Sequence, residues 1–443
     1  MINNKVNLCF SKKAAGILLA ATSFLVMACS ENVKELSPLS THELGIAIPG
    51  GQSREYSYTD KNGGFYYGMT STDDWGDWFA GWNIYAKRIF ADYRLYVDGE
   101  RLLRENARTS VYPDKLVRSY EEAVETFCLV DEPKLLCVRM DSVQGKQISF
   151  MLMGGNVVDA RKDGNSVLYT TKESPENVIR IASVAEAGIE FADNLITVPV
   201  AADGFLIAFG TEEDSRQAIA GFRKEGEKWL SARSQRIQSL LDHNPLKTNL
   251  DSLDHALAWI MLTNDQLITH QHGGYGMYAG LPWFTDFWGR DMFISMPGAV
   301  LCTGQFDTAR DILASFARYQ DTISTSPTYG RVPNRLNLEG ILYNTTDGTP
   351  RFVMQVHDYL KYTGDTAFVK EIYPSVKIAT DASLRLYTDE KGYLTQRQRR
   401  YLDGCQTSKQ VSLFTTWQSC CGCTGIVVYA IDECFGSCPL HEP

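Results

Sequence analysis

The chain has 443 residues, 44% of them hydrophobic and 11% aromatic, with a formal net charge of −10 at pH 7. That apolar content excludes a disordered protein, and the length is too great for one ordinary domain. The acidic balance, without a basic patch or tail, excludes nucleic acid as the expected partner.

The chain opens on Lys5, Lys12 and Lys13, followed by an uncharged apolar run from Ala14 to Ala28. A basic stretch, a short apolar stretch and small residues before a break make a secretory signal over residues 1–28, too short for a comfortable membrane span. Val26-Met27-Ala28-Cys29 resembles a bacterial lipobox, which makes Cys29 the lipidated first residue of an exported protein. The expected location is the cell envelope, with membrane contact only through that anchor. An ordinary cleaved signal and an uncleaved anchor are the alternatives. Residues 29–52 read as a tether.

Residues 53–212 carry the pattern of strands. Tyr93 to Val97 alternates and then turns at Asp98-Gly99, a hairpin signal. Leu135–Met140, Ile148–Met153, Ile196–Val200 and Phe205–Phe209 are further strands, and the whole suggests an antiparallel β-sandwich. Residues 213–248 are charged and helix-forming and read as a linker. From Asn249 the period becomes helical. Leu253, Leu257, Ile260, Met261, Asn264 and Leu267 fall on one face behind a cap at Asp251 or Ser252. Further helices are expected over Asp307–Tyr319, Arg351–Tyr362 and Thr366–Leu386, with Gly-rich loops such as His272–Gly276 between them. No repeat is evident at a period of 20–50 residues.

The stretch Pro282-Trp283-Phe284-Thr285-Asp286-Phe287-Trp288-Gly289-Arg290-Asp291 concentrates aromatics, carboxylates and one Arg. Aromatics offer flat faces and the charged groups offer directed hydrogen bonds, a combination that suits a sugar. The plainer alternative is a helix N-terminus with core tryptophans and an Arg290–Asp291 salt bridge. His255, His270, His272 and His357 have no convincing metal-ligand spacing, so neither a metal nor another cofactor is expected.

Pro282 to Gly298 resembles the signature of the glycogen debranching enzyme family of bacterial and archaeal type, the amylo-α-1,6-glucosidases. Thr303–Arg310, Gly330-Arg331-Val332-Pro333-Asn334-Arg335-Leu336, Tyr343-Asn344-Thr345-Thr346-Asp347-Gly348-Thr349 and Tyr359–Asp365 agree in order, and the resemblance covers about Arg54 to Thr395. It implies a β-sandwich followed by an α/α toroid of six hairpins, with residues 249–395 forming about half of one. It also implies inverting hydrolysis of α-1,6-linked glucose branches in an α-glucan or oligosaccharide. Asp347 is then the general acid. Trp283, Asp286, Trp288, Arg290 and Asp291 hold or wall the glucose, with Asn334 and Arg335 in the same pocket. Apart from the resemblance, Asp347 can equally be an Asx-turn residue in a Thr-Asp-Gly loop.

The sequence departs from the family after Thr395. Residues 396–443 lose the helical period and hold six of the eleven cysteines: Cys405, Cys420, Cys421, Cys423, Cys434 and Cys438. A metal knuckle and a disulfide-stapled tail are two readings. A third fits better: back-translated in a shifted frame, the stretch contains Asp-Thr-Trp-Met-Asp-Ala, which resembles the family's next segment. On that reading the frame shifts near Thr395, the segment with the general base is missing, and the chain as written is expected to be inactive. A non-catalytic α-glucan-binding lipoprotein is the alternative function. A cysteine-rich metal or redox protein rests only on the tail.

Overall fold

The computed structural model of the chain describes residues 38–389 and 394, apart from residues 75, 132, 155–156, 173, 200–202, 272 and 338. The expected signal, Cys29, His272 and the cysteine-rich tail lie outside the described residues.

Antiparallel sheets build the first part. The largest has nine strands in the order Ile46–Ile48, Arg108–Val111, Leu116–Ser119, Val124–Leu129, Leu135–Asp141, Gly204–Gly210, Val178–Ser183, Ser166–Thr171 and Val157–Asp163. A five-stranded sheet centres on Ile148–Met153 and Asp92–Val97, and a four-stranded sheet runs Glu55–Thr59, Gly64–Met69, Gly81–Ile84, Lys87–Phe90. Asp98 and Gly99 both have positive φ, at 48° and 84°, and close the hairpin between Asp92–Val97 and Glu100–Arg101. That is the geometry an Asp-Gly pair supplies most readily.

Why the central strands read as unbroken apolar runs follows from what covers them. Leu136, Val138, Phe205 and Ile207 face one core with Trp82, Tyr93 and Phe150 of the two smaller sheets. Leu135, Cys137, Leu206 and Ala208 point the other way, onto Ile219 and Phe222 of helix α1, Glu212–His243. With both faces covered, alternation gives way to continuous hydrophobicity. Burying each large side chain of this kind contributes about 1.5–3 kcal/mol.

A charged pair sits inside the sandwich. Arg118 Nη1 donates to Glu125 Oε1 at 2.7 Å, with the two side chains 0% and 1% exposed. Tyr93 and Tyr120 donate hydroxyls to the same carboxylate, and Arg118 Nη2 donates to Tyr56 Oη. Burial opposes charge on Glu125, but Arg118 and Arg104 beside it hold its carboxyl below the usual range.

Helix α1 leads to α2, Asp251–Leu267, and then to α3, Gly289–Met296, α4, Phe306–Arg318, α5, Gly348–Thr363, and α6, Thr366–Leu386. Helices α3 to α6 share a core that includes Phe293, Ile312, Leu313, Phe316, Phe352, Val356, Phe368 and Val376. Between α5 and α6, Gly364 takes the left-handed conformation at φ 67°, and Asp365 then caps α6 by accepting from the Phe368 N–H at 3.0 Å. Among the described residues no helix is long and apolar enough to cross a membrane.

Two expectations need correction. The region read as loops between helices contains a four-stranded antiparallel sheet, Ile268–Gln271, Gly274–Gly280, Phe284–Trp288 and Arg335–Leu336. Its glycines mask the strand signal: a Cβ on Gly276 would stand 2.4 Å from the Phe287 ring. Helix α2 is also turned differently. Leu253 and Ile260 are exposed, at 42% and 58%, while Asp254, Leu262 and Asp265 are buried. No side chain caps its first residue in the expected way; instead Asp254 accepts from the Thr248 N–H and pairs with Lys247. Ion pairing of two inward carboxylates sets the rotation of this helix, and the apolar period does not.

Asp265 joins the two parts. Its carboxylate takes Lys61 of the β region at 3.0 Å and Arg236 of α1 at 2.7 Å. Arg236 also reaches Asp131 at 2.9 Å, and Arg233 shares that carboxylate. Burial, offset by Asp265, brings the Lys61 ammonium down to about 8. Burial works against the charge of Asp131 and Asp265, yet Arg233 and Arg236, and Lys61 and Arg236, hold these carboxyls below the usual range.

Glu125, Asp131 and Asp265 thus have folded pKa values below their unfolded ones. The stability they contribute is full above the ordinary carboxylate pKa, about 4, and is lost as pH falls through the folded values. Thermal denaturation is expected to give a steep fall in Tm below about pH 4. Glu125→Gln is expected to lose about 3–5 kcal/mol, because it leaves Arg118 buried without its charge partner. A pH-independent Tm, or a neutral effect of Glu125→Gln, would contradict this.

Candidate functional site

The aromatic and charged stretch is a strand running into a helix. Phe284–Trp288 pairs with Arg335–Leu336, placing Trp288 opposite Arg335 and Phe287 opposite Leu336. The chain then enters α3 at Gly289, whose N–H donates to the Asn334 carbonyl at 2.7 Å. A Cβ here would stand 2.4 Å from the Pro333 carbonyl oxygen, so this approach requires glycine. The Trp-Gly-Arg-Asp and Val-Pro-Asn-Arg segments are therefore two sides of one contact.

A third segment is tied to the same place. Asn334 Nδ2 donates to Asn344 Oδ1 at 2.8 Å, Arg331 Nη1 to the Tyr343 carbonyl at 2.9 Å, and the Val332 N–H to Thr349 Oγ1 at 3.1 Å. These bonds hold the loop that delivers Asp347 to the N-terminus of α5. Asp347 occupies the N-cap position, but its side chain makes no capping bond. It points to two arginines instead: Arg290 Nε at 2.8 Å on Oδ1 and Arg351 Nε at 3.1 Å on Oδ2. The three side chains are 42%, 23% and 35% exposed for Arg290, Asp347 and Arg351, so the cluster is open to a ligand. The turn-residue alternative for Asp347 is not what the loop displays.

A second cluster flanks the other end of the strand pair. Asp286 accepts from Asn337 Nδ2 at 2.8 Å and lies 3.5 Å from Arg335 Nε. Trp283 and Phe284 are 59% and 54% exposed, directly after a cis Leu281–Pro282 peptide, while Trp288 is half-buried. Asp291 is exposed, and Arg290 is paired with Asp347, so the expected alternative of an Arg290–Asp291 bridge is replaced by a longer-range one. Asn334 is 6% exposed and belongs to the loop scaffold. Three arginines (Arg290, Arg335, Arg351) and three aspartates (Asp286, Asp291, Asp347) make the region charge-balanced.

Sequence reasoning missed Arg351, Asn337 and Asn344. Arg351 stands four residues after Asp347, a spacing at which side chains of a helix meet, and that signal could have found it. The two asparagines carry no such signal. Of the described histidines, His255 bonds the Asp251 carbonyl and His270 packs against Tyr275 with tilted rings, centroids 5.0 Å apart. Among the described residues no group of three or more His, Cys, Asp or Glu is placed to hold a metal ion.

Residues 259–413 match the family described as amylo-alpha-1,6-glucosidase, which takes in the strand, loops and helices just described and extends past Thr395. The glycogen debranching enzyme of Saccharomyces cerevisiae is 36% identical over 94 residues, which are 20% of this chain and 6% of that relative. The chain therefore spans a small part of the length of the curated relative it matches.

Gly289 and Arg351 separate scaffold from site. Gly289→Ala is expected to lower stability by about 1–3 kcal/mol, because the added methyl overpacks the Pro333 contact. Arg351→Ala, removing half of an exposed pair, is expected to change stability by no more than about 1 kcal/mol. Chemical denaturation of both variants checks the contrast; equal losses would show that the Arg351–Asp347 pair is structural.

Proposed function

We propose, from the membership of residues 259–413 in the amylo-α-1,6-glucosidase family, that this protein is a glucan-processing glycoside hydrolase. The reaction is inverting hydrolysis of α-1,6-linked glucose branches in an α-glucan, as in the bacterial and archaeal type of the family. The observation that carries the reading is the Arg290–Asp347–Arg351 cluster, presented on the same strand–helix junction as the exposed Trp283. Glucose is neutral, with hydroxyls that both donate and accept and with one apolar face. Balanced charges and exposed aromatics suit it. A lipid anchor at Cys29 makes the substrate an imported or external glucan.

Inversion uses one carboxyl group to protonate the leaving oxygen and another to activate water, roughly 6.5–9.5 Å apart. In the acid role, Asp347 must exchange a guanidinium contact for the glycosidic oxygen, since both of its oxygens already accept. The same double contact favours a second role, in which Asp347 stays between Arg290 and Arg351 and accepts glucose hydroxyls.

Glucose release from a limit dextrin, with the anomer followed by NMR, tests the chemistry in the frame-restored protein, since the chain as written is expected to be inactive. β-Glucose as first product agrees with inversion and the α-anomer contradicts it. For Asp347→Asn, the acid role predicts a kcat lower by roughly 10²–10⁴ with KM little changed, and rescue by glucosyl fluoride, whose leaving group needs no proton. The hydroxyl-accepting role predicts a raised KM and no rescue. Binding without turnover assigns the chain to the alternative, a glucan-binding lipoprotein; neither binding nor turnover overturns both readings.

A further inference from the structure

A cavity of about 880 Å³ lies away from the Arg290–Asp347–Arg351 cluster and shares none of its residues. It opens where the β region, α1 and the start of α4 meet. Lys61 and Asp131 come from the first, Trp229, Arg233 and Arg236 from the second, and Gln305, Phe306 and Asp307 from the third. Asp265 and Tyr275 complete the lining. The volume falls in the range of small-molecule sites, about 300–1,000 Å³.

All but one of the charged groups in this cavity are already paired. Three cations face three carboxylates, and Lys61–Asp265, Arg236–Asp265, Arg236–Asp131 and Arg233–Asp131 are ion pairs. An anionic ligand would have to break one of these and leave a buried carboxylate uncompensated, which is costly, and a cationic one finds only the exposed Asp307 outside these pairs. A neutral ligand with hydroxyls can add hydrogen bonds to the same groups without displacing any. Trp229, Tyr275 and Phe306 supply aromatic faces, and Tyr275 is 41% exposed. Flat apolar walls over a saturated, charge-balanced floor describe a site for a polyhydroxylated ring compound.

We infer that this cavity is a second carbohydrate site, which takes an internal stretch of a linear α-glucan chain while the Arg290–Asp347–Arg351 cluster takes its branch end. The sugar class rests on the proposed function; the neutral polyol character rests on the cavity itself. Occupancy would bridge the β region and the helices, so the site also fixes how a long chain lies across the molecule.

The test is titration of the full chain by calorimetry with maltohexaose, cellohexaose and ATP, repeated for Tyr275→Ala, Trp229→Ala and Arg351→Ala. Two classes of maltohexaose site are expected: Tyr275→Ala weakens one about tenfold, the loss of one aromatic face, and Arg351→Ala weakens only the other. Trp229 packs on Phe222, so its variant counts only if its Tm is preserved; Tyr275 lies on the surface and keeps the test open if it is not. Wild-type binding at both sites in Tyr275→Ala, or a single site that Arg351→Ala abolishes, overturns the second site and leaves the proposed function standing. Cellohexaose binding that depends on Tyr275, with no binding of maltohexaose, keeps a carbohydrate site and overturns the glucan reading. Tyr275-dependent binding of ATP that weakens with salt overturns the neutral-polyol assignment.

Discussion

Asp265 is the carboxylate on which the assembly of the two parts turns. It is 8% exposed in its side chain and holds Lys61 from the β region and Arg236 from α1 while sitting on α2 itself. A buried ion of this kind has to be paired, and the geometry that pairs it here brings three segments together. Around it, Thr59 donates its N–H and its hydroxyl to Gln266, and the His270 N–H donates to the Lys61 carbonyl. The rotation of α2 follows, with its exposed Leu253 and Ile260, and so does the start of the sheet that carries the candidate site.

The site is built by the same logic of close approach. Gly289 lets the strand–helix junction touch the Pro333–Asn334 loop, and Asn334 in turn reaches Asn344. Asp347 arrives at the end of that chain of contacts, at a helix N-terminus where negative charge is favoured, and finds Arg290 and Arg351 waiting. Arg290, Asp347 and Arg351 thus hold one another in place. A site held in this way is already organised before ligand binds.

Much of this was legible in the sequence, for physical reasons that differ by element. The Asp98-Gly99 hairpin and the Thr363-Gly364-Asp365 helix junction were readable because positive φ and capping are local demands on residue type. The core faces of α4 were readable from their period, with Ile312, Leu313 and Phe316 all buried. The face of α2 was not, because Asp265 is turned inward by Lys61 and Arg236, distant in sequence, and Asp254 by Lys247 and Thr248 just before the helix, and no periodicity reports either. The sheet from Ile268 to Trp288 was hidden by glycines that serve packing. At the site, motif residues such as Arg290 and Asp347 stood out as a group, yet their mutual contact spans 57 positions and could not be read from spacing.

The central claim is that Arg290, Asp347 and Arg351 together hold the terminal glucose of an α-glucan. A crystal structure of the chain with a branched limit-dextrin oligosaccharide tests it most directly. The account predicts a non-reducing-end glucose whose hydroxyls lie within hydrogen-bonding distance, about 2.6–3.2 Å, of Arg290 and Asp347. A saccharide bound only elsewhere, with the Arg290–Asp347–Arg351 contacts intact and free of sugar, would contradict it.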